Sequence, residues 1–198
     1  MALPFLVDHV REIFARELAT IRDDTLRDKA ARTWARSMAL GGATDLWADL
    51  PFSVTMNVRK PGLGVEHVRG VTHLALSIAD ALAVAHGVSP DRDVIAAGAL
   101  LHDVGKLLER AAPERHALAG SLMQHEFSGV HLGMEEGLPA GVLHIIAYHF
   151  IIGERVRRTL ECDIVYRADL ASLEALARRE LGKTAAECFP YVYLPRQP

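Results

Sequence analysis

Along most of the chain apolar positions recur every three to four residues, interrupted by short breaks rich in Gly, Pro or Ser-Pro. That spacing marks amphipathic helices, and the period-two alternation of half-buried strands is nearly absent. It predicts helices over residues 4–20, 25–40, 66–86, about 90–110, 115–136, 139–150 and 155–180. Gly41-Gly42 ends the second, Ser89-Pro90-Asp91 starts the fourth, and Pro139 sits in the first turn of the sixth. Residues 41–64 carry the Pro and Gly marks of an irregular connection, and the tail after Gly182 has no helical period. The expected fold is all-α: a compact, single-domain helical bundle with two extra N-terminal helices. Residues 1–63 form a helical extension and loop packed on the core, 64–182 the main unit, and 183–198 an irregular tail.

The same periodicity exposes an anomaly. In Gly98–Arg110, GALLHDVGKLLER, His102 and Asp103 lie side by side among Ala99, Leu100, Leu101, Val104, Leu107 and Leu108. An ionised carboxylate in apolar surroundings is costly unless it is paired, hydrogen-bonded or bound to a metal. Other ligand-type residues share inward faces. His67 precedes Val71 by one turn on the stripe Val71, Leu74, Ala75, Ile78, Ala79 and Leu82, whereas His73 falls on the solvated side. His125 lies in line with Leu118, Leu122, Gly129 and Leu132; His149 with Val142, Ile145 and Ile146; Asp169 with Cys162, Val165, Leu173 and Leu176. Asp163 is read as a surface ion pair with Arg167, one turn away. Six inward imidazoles and carboxylates from five helices suit a common metal centre of Fe, Mn, Co, Ni or Zn. Lys106, four residues after His102 and three after Asp103, overlooks the same point, and Gly105 leaves room for a substrate.

Composition narrows the choice. With 198 residues, half of them hydrophobic, the chain can bury one sizeable core. A net charge of −3 argues against binding a nucleic-acid polymer. No membrane span and no secretion signal are read from it. Cys162 and Cys188 lack metal or redox spacing, so they are assigned to core packing, thiolate zinc sites are disfavoured, and the setting is expected to be cytoplasmic. Ten histidines are the unusual count, and the faces above give them meaning. The apolar N-terminal residues Phe5, Leu6, Val10, Ile13, Phe14, Trp34 and Met38 suit either a cover for the core or a homodimer surface.

EHVRGV, ALLHDVGK and YRADL, in that order, resemble the H…HD…D signature of the HD-domain superfamily of metal-dependent phosphohydrolases. QHEFSG and IIAYHF resemble the two extra histidines of its binuclear members. The resemblance covers about residues 64–175. It implies one or two divalent ions, the first on His67, His102, Asp103 and Asp169, the second on His125, His149 and a bridging Asp103. Asp103 and Lys106 become the catalytic residues, with Lys106 on a substrate phosphate. Arg69, Arg155 and Arg167 are further candidate phosphate contacts. The glycine-tyrosine-proline signature of the cyclic-di-GMP branch is missing; the nearest stretch is EEGLP.

The expected activity is hydrolysis of a small phosphate ester or nucleotide through a metal-bound hydroxide, the leaving and attacking oxygens being clamped by the ions. Two alternatives share the ligand set. One is a mixed-valence di-iron oxygenase cleaving a C–P or C–C bond; the other is a non-catalytic nucleotide-binding sensor.

Overall fold

Helix starts are written in short polar side chains. In the computed structural model, which describes residues 3–54, 60–120 and 122–188, Asp23 accepts from the Leu26 amide, Asp91 from those of Asp93 and Val94, and Thr159 from that of Cys162. Each side chain satisfies amides that the first helical turn leaves unbonded. These caps open α3 (Asp24–Gly41), α6 (Arg92–Leu101) and α10 (Leu160–Leu181). The first two helices are α1 (Leu3–Ile13) and α2 (Ala15–Leu18), a single turn, so the expected helix over 4–20 is broken near Phe14. One-turn α4 (Leu46–Asp49) interrupts the connection expected to be irregular, and α5 (Leu63–His86) follows. Short α7 (Lys106–Glu109), α8 (His125–Glu135), α9 (Ala140–Tyr148) and a last turn, α11 (Ala185–Cys188), complete the set. No strand occurs among the described residues, and the fold is all-α as expected. Of the tail, only the part up to Cys188 lies within the described residues.

Long α5 packs against α10 and α6; α9 joins α6 and α8; α3 closes the other side of α6 and α7. By length and composition alone α5 could cross a membrane, but it carries His67 and packs its apolar face on α6 and α10. The N-terminal helices belong to the core: Phe14, Trp34 and Met38 are fully buried. Trp34 Nε1 donates to the Leu100 carbonyl at 3.0 Å, and the Ser37 hydroxyl donates to the carbonyl of Val104. Trp34, Phe14 and Met38 therefore serve as cover for the core rather than as free surface, while Phe5 remains exposed.

Two further expectations about helix extent change, and two about burial. The helix through His102 and Asp103 is not continuous: α6 stops at Leu101, residues 102–105 form a turn, and α7 begins at Lys106. Val104 and Lys106 amides bond back three residues, to Leu101 and Asp103, which turns the chain. Apolar residues on every side of this stretch conceal the break, since burial all round leaves no period to interrupt. Residues 116–120 and 122–124 are not helical, with Gly120 at φ 89° and its amide on the Leu108 carbonyl. Leu122 is consequently exposed instead of sharing a face with His125. Leu74, expected inside, is also exposed.

Candidate metal centre

Each inward ligand is delivered by a helix or by the turn at its end. His67 comes from the first turns of α5 and Asp169 from the middle of α10. His102 and Asp103 lie in the α6–α7 turn, His125 opens α8, and His149 caps the C-terminus of α9. All six are buried. They fall into two sets, His67–His102–Asp169 and Asp103–His125–His149, each able to offer three donor atoms to one ion.

Asp103 stands between the sets. Its Oδ2 lies 3.2 Å from His102 Nε2 and 3.6 Å from His67 Nε2; its Oδ1 lies 3.5 Å from His125 Nε2 and 3.9 Å from His149 Nε2. His67 Nε2 is also 3.1 Å from Asp169 Oδ1. The outer ring nitrogens are already engaged: His102 Nδ1 with the Ala99 carbonyl at 2.7 Å, His149 Nδ1 with the Ile146 carbonyl at 3.0 Å, and His125 Nδ1 with Glu109 Oε2 at 3.0 Å. Carbonyls and carboxylates only accept, so these three Nδ1 atoms carry protons and a neutral ring presents a lone pair at Nε2. His102 Nε2 lies 3.4 Å from His67 Nε2. Acceptors thus converge on acceptors around Asp103, an arrangement that neutral rings alone do not satisfy and that divalent cations do. The donor set fits divalent metal ions, and nitrogen and oxygen donors in this mixture leave several first-row metals open.

Charge states at His149 and His67 agree with that reading, while His102 is drawn the other way by Asp103. Burial, followed by the neighbouring His102, pushes the His149 pKa down to about 3, which keeps the ring neutral. Burial likewise lowers that of His67 against the pull of Asp169. Burial opposes charge on His102 as well, but Asp103 outweighs it and raises its pKa. Asp103 and Asp169 are both depressed: burial resists, and His102 with Lys106 on the first, and His67 on the second, overcome it.

Lys106 overlooks this centre, with Nζ 2.6 Å from Asp103 Oδ2 and 2.8 Å from the Phe52 carbonyl. Gly105 has a different use from the one expected. A Cβ there would collide with the His125 carbonyl, the Ser128 hydroxyl and the Gly129 amide, so the missing side chain admits α8, not substrate. Arg69 is held elsewhere, on the Ile13 carbonyl, near Glu17 and over the Trp47 ring. Arg167 is exposed with its guanidinium 5.0 Å from the Tyr166 ring, and Arg155 is exposed too. Asp163 pairs with Arg158 at 3.9 Å instead of Arg167. His73 is only half solvated: its Nε2 meets the buried Glu17 carboxylate at 2.8 Å.

Several participants escape a reading of inward faces. Ser172 Oγ sits 3.0 Å from His67 Nδ1, and its position three residues after Asp169 was the available signal. Glu109 had none, because its approach to His125 depends on the loop between α7 and α8. Phe52, from the connection before α5, sets its ring edge-on to His67 at 5.4 Å between centroids.

Comparison with known proteins places this geometry in a family. The family model described as HD domain matches residues 64–173, a span holding all six candidate ligands. The chain belongs to the HD-domain family. The dihydroneopterin 2',3'-cyclic phosphate phosphodiesterase of Methanocaldococcus jannaschii is 31% identical over 163 residues, covering 76% of this chain. The chain spans 64% of that relative's length. No solved structure matches.

Proposed function

We propose that this HD-domain chain is a metal-dependent phosphohydrolase of small phosphate esters, with a cyclic phosphodiester as the favoured substrate class. The observation that carries the proposal is the carboxylate of Asp103 set between two buried donor sets whose imidazole Nε2 atoms face inward. His67, His102 and Asp169 would hold one ion, His125 and His149 the other, with Asp103 shared. Ions in such a pair supply a hydroxide nucleophile from water near neutral pH and offset charge on the attacking and leaving oxygens.

The chain's own residues do the rest. Carbonyls of Ala99 and Ile146 and the carboxylate of Glu109 fix the tautomers of three imidazoles, so each presents Nε2. Lys106 balances Asp103, and its ammonium would stabilise negative charge developing on a non-bridging phosphoryl oxygen. Beyond Phe52 lies a cavity of about 420 Å³ that also has Gly42, Leu107 and Arg110 in its wall, a place for the organic part of the substrate. The preference for a diester over a monoester is supported by the relative's name. Two free cysteines are compatible with the reducing cytoplasm, the setting included in this proposal.

The test is metal analysis of the purified protein, followed by assays with Mn, Co, Ni and Fe on 2',3'-cyclic nucleotides, bis(4-nitrophenyl) phosphate and phosphomonoesters. Metal-dependent turnover of the diesters is expected. Stoichiometric iron with oxygen uptake on hydroxyphosphonates would replace hydrolysis by the oxygenase reading. Nucleotide binding without turnover under every metal would make the chain a sensor.

A further inference from the structure

The two donor sets are unequal in charge. The first has a carboxylate of its own, Asp169, besides its share in Asp103; the second has two imidazoles and only the shared Asp103. Behind that second set, however, two more carboxylates, one buried and one largely covered, lie against one ring. Glu109 Oε2 accepts from both the backbone amide of His125, at 2.8 Å, and its Nδ1, at 3.0 Å. Glu126 Oε2 lies 3.4 Å from the same Nδ1 and has no hydrogen-bond partner. The counterpart behind the first set is an uncharged hydroxyl, Ser172, on His67. Both glutamates are well covered, with side-chain exposures of 12% and 6%, so solvent screens them little.

We infer that Glu109, seconded by Glu126, supplies the second metal site with the negative charge that its direct ligands lack, acting through the His125 ring. Anionic acceptors on Nδ1 strengthen the ring as a donor at Nε2, and a carboxylate behind a histidine contributes to metal affinity through the imidazole. Glu109 and Glu126 are positioning residues here, since neither is directed at the substrate. The inference rests on the two-ion reading of the site above.

Its test is metal stoichiometry of the full-length protein, by Mn(II) titration and by metal content after dialysis. The wild type is expected to hold two ions. Glu109→Gln keeps an oxygen that can accept from both nitrogens and removes the charge; it should weaken the second ion roughly 10- to 100-fold and leave the first unchanged. Glu126→Gln should weaken the same ion by less. Ser172→Ala should affect only the first ion, a crossed pattern that general damage to the fold does not produce. Retention of the first ion in the glutamate variants shows that they are folded. Two ions held with wild-type affinity by Glu109→Gln overturn the inference while leaving the two-ion reading intact. A single ion in the wild type overturns both. Equal weakening of both ions by Glu109→Gln also overturns it, because the charge would then not belong to one site.

Discussion

Asp103 is the side chain on which most contacts converge: four imidazole nitrogens lie within 3.9 Å of its carboxylate and the Lys106 ammonium bonds to it. Asp103→Ala should therefore cost metal at both sites and activity together, read as metal content and turnover on the same preparation. Full activity in that variant would refute the site. His73 offers the opposite expectation. It lies outside the buried His/Asp cluster, yet it partners the buried Glu17, whose second oxygen has no hydrogen bond. His73→Ala should leave metal content unchanged and lower stability by about 1–3 kcal/mol, the usual cost of stranding a buried polar group. Denaturant titration measures it, and an unchanged midpoint would show that the pair contributes nothing. At this scale the sequence separated His67, which joins the buried His/Asp cluster, from His73, because the two lie on different faces of one helix. It did not tell what His73 does, because Glu17 reaches His73 from another helix.

At the scale of elements the decisive feature is the break between α6 and α7. It turns His102 and Asp103 out of a helix and into a corner that α5, α8, α9 and α10 surround with ligands. Gly105 makes the corner possible by letting the α8 backbone come against it. Gly105→Ala puts a methyl where the His125 carbonyl and Gly129 amide already lie, and backbone atoms cannot yield as a flexible side chain can. Overpacking of this kind costs about 1–3 kcal/mol or more. The displaced element is α8, so the ion on His125 should weaken before the ion on His67. Calorimetry and metal titration of the variant check both; a wild-type melting temperature would show that α8 is not seated as described. Caps at Asp23, Asp91 and Thr159 were legible from residue type. The break was not, since apolar residues surround it on all sides.

For the molecule as a whole, the buried charges set the response to acid. His149, at about 3 in the fold and 6.5 as a free side chain, takes up a proton in the unfolded state between those values and not in the native state. Stability therefore falls as pH drops below about 6.5, by roughly 1.4 kcal/mol per pH unit for a fully shifted group. His67, also lowered, adds in the same direction. His102 is raised and opposes them, contributing stability at low pH that fades as pH rises. Asp103 and Asp169 are lowered, so their contribution is complete above about 4 and is lost only in stronger acid. Chelator-treated protein should lose stability as pH falls from about 6.5 to 5, ahead of ordinary carboxylate titration, and His149→Gln should flatten that slope. Denaturant midpoints across this range provide the measurement, and parallel slopes would remove His149 as the cause.

Helical periodicity was enough to establish an all-α chain, the faces of its longer helices, and six inward residues of ligand type. These depend on neighbours three and four residues apart, which the linear order contains. Pairing was decided only in three dimensions: Glu109 behind His125, Ser172 behind His67, Phe52 beside Lys106, and Trp34 holding the carbonyl of Leu100. Each joins elements whose mutual approach follows from packing around the core and is written in no local period. The metal centre was legible as a list of residues; its two sides and their unequal charge came from the packing.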